Sequence, residues 1–128
     1  MDQKPLIFLH VYHHIVTLFI CWCCLLDLQS VQWIAIIANT LVHIPMYYFY
    51  ASQSIGVDIK WKKHITKFQI VQFVFDILSS SSWGVLALSG PQCRGTWFTF
   101  WAAMFIFTTF LYLFVGFFRN TYKGQKDH

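Results

Sequence analysis

Three histidines within five residues, His10, His13 and His14, stand inside an apolar run of this 128-residue chain, and His43 stands inside the next. Imidazole serves as base, nucleophile or metal ligand near neutral pH. In apolar surroundings each polar group costs a few kcal/mol on insertion scales, so several close together point to chemistry rather than to packing. At about 100° per residue, His10, His13 and His14 fall within an arc of roughly 100° and share one face of a helix. The same arithmetic gives a second stripe, Asn39, His43, Met46, Tyr47 and Tyr50, and a third, Thr66, Gln69, Gln72, Asp76 and Ser80. For the serines at 79–82, interhelical hydrogen bonding is a sufficient explanation.

The elements that must hold these side chains are membrane helices. Hydrophobic residues make up 57% of the chain and charged ones 11%, against roughly a quarter charged in an ordinary soluble domain. An apolar solvent therefore meets most of this surface. A bilayer core about 30 Å thick needs roughly 20 apolar residues per helix. Four such runs are predicted, at 6–26, 31–50, 65–88 and 97–118, with a basic loop at 51–64 and a tail at 119–128. The fold class is all-α integral membrane, in one membrane domain. Runs of this length exclude barrel strands, which need only about 9–11 residues. The first run is too long, and too interrupted by histidine, for a cleavable signal peptide. Trp33, Trp61, Trp83, Trp97 and Trp101 fall near the span ends, where interfacial anchors belong.

The net charge of +4 is distributed by topology rather than gathered for nucleic acid, which is not expected as a partner. With four spans, Lys4, Lys60, Lys62, Lys63, Lys67, Arg119, Lys123 and Lys126 fall on one side and Arg94 on the other. The positive-inside rule makes the first side cytosolic, and both termini with it. Each polar stripe then lies mostly in the cytosolic half of the membrane. Of the four cysteines, Cys21, Cys23 and Cys24 read as small apolar packing on the first span. Cys93 lies in a non-cytosolic loop where oxidation is allowed, which leaves a disulfide open.

The segment His10-Val-Tyr-His13-His14 resembles the HxxHH box of the very-long-chain fatty acid elongase (ELO) family. Asn39-Thr-Leu-Val-His43-Ile-Pro-Met46-Tyr47-Tyr-Phe49-Tyr50 is similar to that family's NxxVHxxMYxYY segment, with Phe49 in place of a tyrosine. Trp61-Lys-Lys-His-Ile-Thr66-Lys-Phe-Gln69-Ile-Val-Gln72-Phe73 matches its TxxQxxQF box with the basic lead-in. The three follow in the family's order on successive helices. Members have further spans and a KxxExxDT motif upstream, so the chain resembles the C-terminal part of a seven-helix bundle and is expected to be incomplete at its N-terminus.

This resemblance implies a 3-oxoacyl-CoA synthase that condenses long-chain acyl-CoA with malonyl-CoA at the endoplasmic reticulum membrane. It implies no cofactor and no metal. The expected partners are the two CoA thioesters, membrane lipid, and other enzymes of the elongation cycle or a second copy of the chain. No Cys-His pair lies near the cytosolic side, so imidazole is the available nucleophile. His13 is assigned as acyl acceptor and His43, facing it, as the assisting histidine, with His10 and His14 orienting the pair. Asn39, Tyr47, Tyr50, Gln69 and Gln72 line the substrate path, and Lys60, Lys62 and Lys63 meet either CoA phosphates or anionic lipid. Two alternatives stand beside this reading: a membrane di-iron desaturase or hydroxylase, in which His10, His13 and His14 would ligate iron, and a catalytically inert relative of the elongases.

Overall fold

A computed structural model of the chain describes residues 4–90 and 93–123. Four helices follow one another: α1 (Lys4–Leu26), α2 (Gln32–Ser54), α3 (Lys62–Ser89) and α4 (Trp97–Lys123). Each contains a stretch long and apolar enough to cross a membrane. The chain is a multi-pass, all-α membrane protein, and large apolar side chains such as Leu18, Leu78, Phe98 and Phe105 cover its outer faces. The helices outrun the apolar runs that announce them. Residues 51–54 continue α2, α3 begins at Lys62, and α4 carries on through Lys123, so the connection between α2 and α3 shrinks to 55–61. Backbone hydrogen bonding propagates past the edge of hydrocarbon as long as nothing breaks it. Lys126, the rest of the tail at 124–128, and the side chain of Lys4 lie outside the described residues.

Helices α3 and α4 pack most extensively, α2 lies against α3 and α1 against α4, while α1 and α2 meet least. The main core joins Leu9, Ile20 and Cys23 of α1 to Phe73 of α3 and to Ala103, Ile106, Phe110 and Phe114 of α4. A smaller cluster, Met46, Phe49 and Ile65 with Ile59 and Trp61, closes the basic end between α2 and α3. Gly84 permits the close approach of α3 to α4, since a Cβ there would stand 3.0 Å from Cζ of Phe100. Pro45 inside α2 has no N–H for the carbonyl of Leu41, a break that membrane helices tolerate when neighbours support them.

At the end opposite the lysines, a polar clamp ties the α1–α2 link to the α3–α4 link. The carbonyl of Arg94 accepts from Ser30 N at 3.1 Å, Ser30 Oγ at 2.8 Å and Trp83 Nε1 at 3.0 Å. Gln29 Oε1 accepts from Thr96 N at 3.2 Å. Asp27 Oδ2 accepts from Thr96 Oγ1 at 2.6 Å and also from Thr99 Oγ1. Gly95 has φ +134, and a Cβ there would run into the Gln29 amide, so only glycine fits. Two sequence expectations change here. Trp83 is no interfacial anchor: it is 2% exposed, and its N–H is an inward strut of the clamp. Ser82 bonds the carbonyl of Leu78 on its own helix at 2.9 Å, whereas Ser81 bonds both the carbonyl of Ile77 at 2.8 Å and, across to α4, Met104 Sδ at 4.0 Å. All four cysteines, Cys93 included, are free thiols.

The hydroxyls of Thr96 and Thr99 hold the Asp27 carboxyl below the ordinary aspartate value of 3.8. A carboxyl whose folded pKa is depressed stabilises the fold above its unfolded value, and that contribution is lost as pH falls through the folded one. Thermal unfolding in detergent should therefore find Asp27→Asn melting below the parent chain at pH 7, with the gap closing as acidification protonates the Asp27 carboxyl.

Candidate functional site

The turn of α1 that carries His10, His13 and His14 faces α2 and α3 near the basic end of the bundle. His13 is the inner member, 9% exposed, with its ring against Phe110 at 4.8 Å, Phe73 at 5.9 Å and Phe114 at 6.1 Å between centroids. Three aromatic walls fix the ring and exclude solvent from that side. His14 lies more openly, and its Nδ1–H donates to the carbonyl of His10 at 2.8 Å. A carbonyl only accepts, so the neutral His14 ring carries its proton on Nδ1 and keeps the Nε2 lone pair free. The His10 and His14 rings stand 4.3 Å apart.

His43 of α2 meets this cluster through His14, at 6.1 Å between ring centroids, and packs against Tyr47 at 5.6 Å. The sequence reading set His43 opposite His13, whereas the ring it meets is that of His14. Helical spacing fixes the face of a residue but not the rotamer that decides which ring reaches across. All four histidines nevertheless line one small pocket of about 30 Å³, together with Asn39, Gln69 and Gln72.

That pocket is the middle member of a series. Toward the lysines it shares His10, Met46, Gln69 and Phe114 with a cavity of about 60 Å³ that Tyr50, Lys62 and Thr66 also line. Toward the clamp it shares His13, Asn39, Gln72 and Phe73 with a cavity of about 190 Å³. Ile20, Ala103, Phe107 and Phe110 give that last cavity its apolar walls, while Thr17, Cys21 and Cys24 continue the α1 side beyond His13. The series thus runs from a basic end, through histidines, into an apolar chamber closed by the clamp.

The remaining candidates divide. Asn39 and Gln72 line two cavities each, and Gln69 Nε2 donates to Met46 Sδ at 3.7 Å. Tyr47 is exposed on the outer face of α2 beside His43. Of the three lysines, Lys62 alone lines one of these three cavities. Lys60 is exposed in the α2–α3 connection, and Lys63 turns away toward α4, its Nζ 5.9 Å from the rings of both Phe118 and Tyr122. His64 is exposed at the start of α3, and among the described residues no group of three His, Cys, Asp or Glu is arranged to hold a metal ion. Sequence reasoning missed Phe110 as the wall of His13, because an aromatic on an apolar helix gives no signal of its own. It placed Asp76 on the polar stripe but gave it no part. Asp76 is 2% exposed, accepts from Gln72 Nε2 at 3.1 Å through Oδ2, and has no partner for Oδ1.

The profile of the GNS1/SUR4 (ELO) family matches residues 1–128. The chain is similar to fatty acid elongase A of Dictyostelium discoideum, with 42% identity over 99% of this chain and 48% of that protein. It is also similar to putative fatty acid elongase 1 of Schizosaccharomyces pombe, at 35% identity over 100% of this chain and 42% of that protein. Long chain fatty acid elongase 1 of Caenorhabditis elegans is 36% identical over 99% of this chain and 46% of its own length. The chain spans less than half the length of these relatives. No solved structure matches it. Matched along its whole length by a single family profile, the chain belongs to the GNS1/SUR4 (ELO) family.

Proposed function

We propose that the chain carries the condensing centre of a fatty acid elongase, a 3-oxoacyl-CoA synthase that joins long-chain acyl-CoA to malonyl-CoA through an acyl-histidine. The observation that carries this reading is the series of cavities: a basic mouth, a pocket of four histidines, and an apolar chamber in line. An acyl-CoA has the same three parts in the same order, phosphates, thioester and hydrocarbon. Lys62 meets the phosphates, the thioester carbonyl lies among the histidines, and the acyl tail extends past His13 between Phe73 and Phe110. The basic end faces the cytosol, at the endoplasmic reticulum, where both substrates are delivered.

The neutral His13 ring attacks the thioester carbonyl, the C–S bond breaks, and CoA leaves as a thiol once it takes up the proton lost from the ring. Malonyl-CoA then loses carbon dioxide, and the electron pair left on its α-carbon attacks the acyl-imidazole carbon. The C–N bond breaks, 3-oxoacyl-CoA departs, and the ring is restored by taking up one proton from water, the proton that the overall condensation consumes. His14 keeps a free Nε2 lone pair and its ring packs against that of His43, which suits this pair to passing the ring's proton to the departing thiolate and a proton from water back to the ring. Asn39 and Gln69 supply amide dipoles for the oxyanion that forms at each attack. Family membership favours this chemistry over the di-iron reading, which draws its histidines from several separate boxes.

Two measurements test the assignment in microsomes containing the chain. His13→Ala should lower malonyl-CoA-dependent acyl extension by at least about 100-fold, whereas activity within twofold of the parent would refute the acyl role, and a parent chain without any extension would favour the inert reading. Lys62→Gln should raise the acyl-CoA KM about fivefold, the equivalent of roughly 1 kcal/mol for one basic contact. Lys63→Gln, whose Nζ lies over aromatic rings, should leave that KM unchanged.

A further inference from the structure

Gln72 lines two cavities at once, the histidine pocket and the apolar chamber beyond it. Asp76 lies one helical turn further from the basic end, and its Oδ2 accepts from Gln72 Nε2 at 3.1 Å. A carboxyl 2% exposed inside a membrane bundle is among the costliest side chains such a fold can hold. Packing alone would be met by leucine. Among the described residues the second oxygen, Oδ1, meets no hydrogen-bond partner, and the contact that offsets the cost is the one to Gln72.

That contact has one specific effect. The two ends of a glutamine amide are nearly equal in shape, and only its partners decide which end faces which way. An accepting oxygen at Asp76 takes up Nε2 and leaves Oε1 as the end of the amide open to a donor, and His13 lines both of the cavities that Gln72 lines.

We propose that Asp76 is a positioning residue: by holding the Gln72 amide, it offers Gln72 Oε1 to the His13 ring as the acceptor that selects one neutral tautomer. The ring nitrogen that donates to Oε1 carries the proton, and the other keeps its lone pair. Only the latter can attack a carbonyl. Without Asp76 the amide turns over, Nε2 meets the ring as a second donor, and the proton moves to the other nitrogen. The catalytic meaning of this relay rests on His13 being the acyl acceptor, while the relay itself does not.

The test is nitrogen NMR of the full chain in detergent micelles with 15N-labelled histidine, the His13 signals being identified by their loss in His13→Ala. The parent should show His13 in one neutral tautomer, Asp76→Leu and Gln72→Leu should each give the other tautomer or a mixture, and Asp76→Asn, which can still accept from Gln72, should keep the parental one. In extension assays Asp76→Leu should lower kcat at least about tenfold with the acyl-CoA KM within about twofold, and Asp76→Asn should recover most of it. A His13 tautomer that is unchanged in both leucine variants overturns the proposal, and if Asp76→Leu fails to fold, Gln72→Leu decides alone. Full extension activity in His13→Ala would instead remove the acyl role and leave the tautomer result standing.

Discussion

A polar side chain inside hydrocarbon must find its partner within the protein, and this constraint organises the whole bundle. Large apolar residues cover the lipid-facing surface, and a subset of the polar ones is gathered inward. His13, Thr66, Gln72, Asp76, Ser80 and Thr99 are all buried, while leucine, isoleucine and phenylalanine cover the outer faces. Once gathered, such groups are largely excluded from water, so their donors and acceptors act in a medium of low dielectric with little competition. The same exclusion that makes them expensive makes them effective as chemistry.

The two ends of the bundle answer the constraint differently. At the clamp, a carboxylate, two threonine hydroxyls, a glutamine and the Arg94 carbonyl satisfy one another and lock two links together. Gln29 and Thr99 of this network also form the far wall of the apolar chamber. Toward the basic end, the histidines, Asn39 and Gln69 have few partners among themselves and instead border cavities. The closed end fixes the helices in place, and the fixed helices hold the open groups in register. Packing of α1 on α4 brings Phe110 and Phe114 against His13.

Much of this was legible in the residues themselves. Four long apolar runs can only be helices in a membrane, and the 3.6-residue period of the polar positions showed which faces they share. Thr66, Gln72, Asp76 and Ser80 are buried as one stripe on α3 because spacing alone decides that face. What spacing cannot decide is where a long side chain ends. Lys62 and Lys63 are neighbours in sequence, yet one lines a cavity and the other lies over Phe118 and Tyr122. The meeting of His43 with His14 is likewise a matter of rotamers. The clamp was illegible for another reason: Gln29 and Thr96 are 67 residues apart, and only the folded bundle brings two such links together.

The central claim is that a histidine of α1 carries the acyl group, and it can be seen directly. The chain would be incubated with a long-chain acyl-CoA in the absence of malonyl-CoA, quenched, digested and mapped by mass spectrometry. The account predicts one acyl group per chain on the peptide containing the His10–His14 turn, located on His13 by fragmentation and discharged when malonyl-CoA is added. An acyl group found instead on Cys21 or Cys24, which border the same apolar chamber, or no covalent acyl group while extension proceeds, would contradict it.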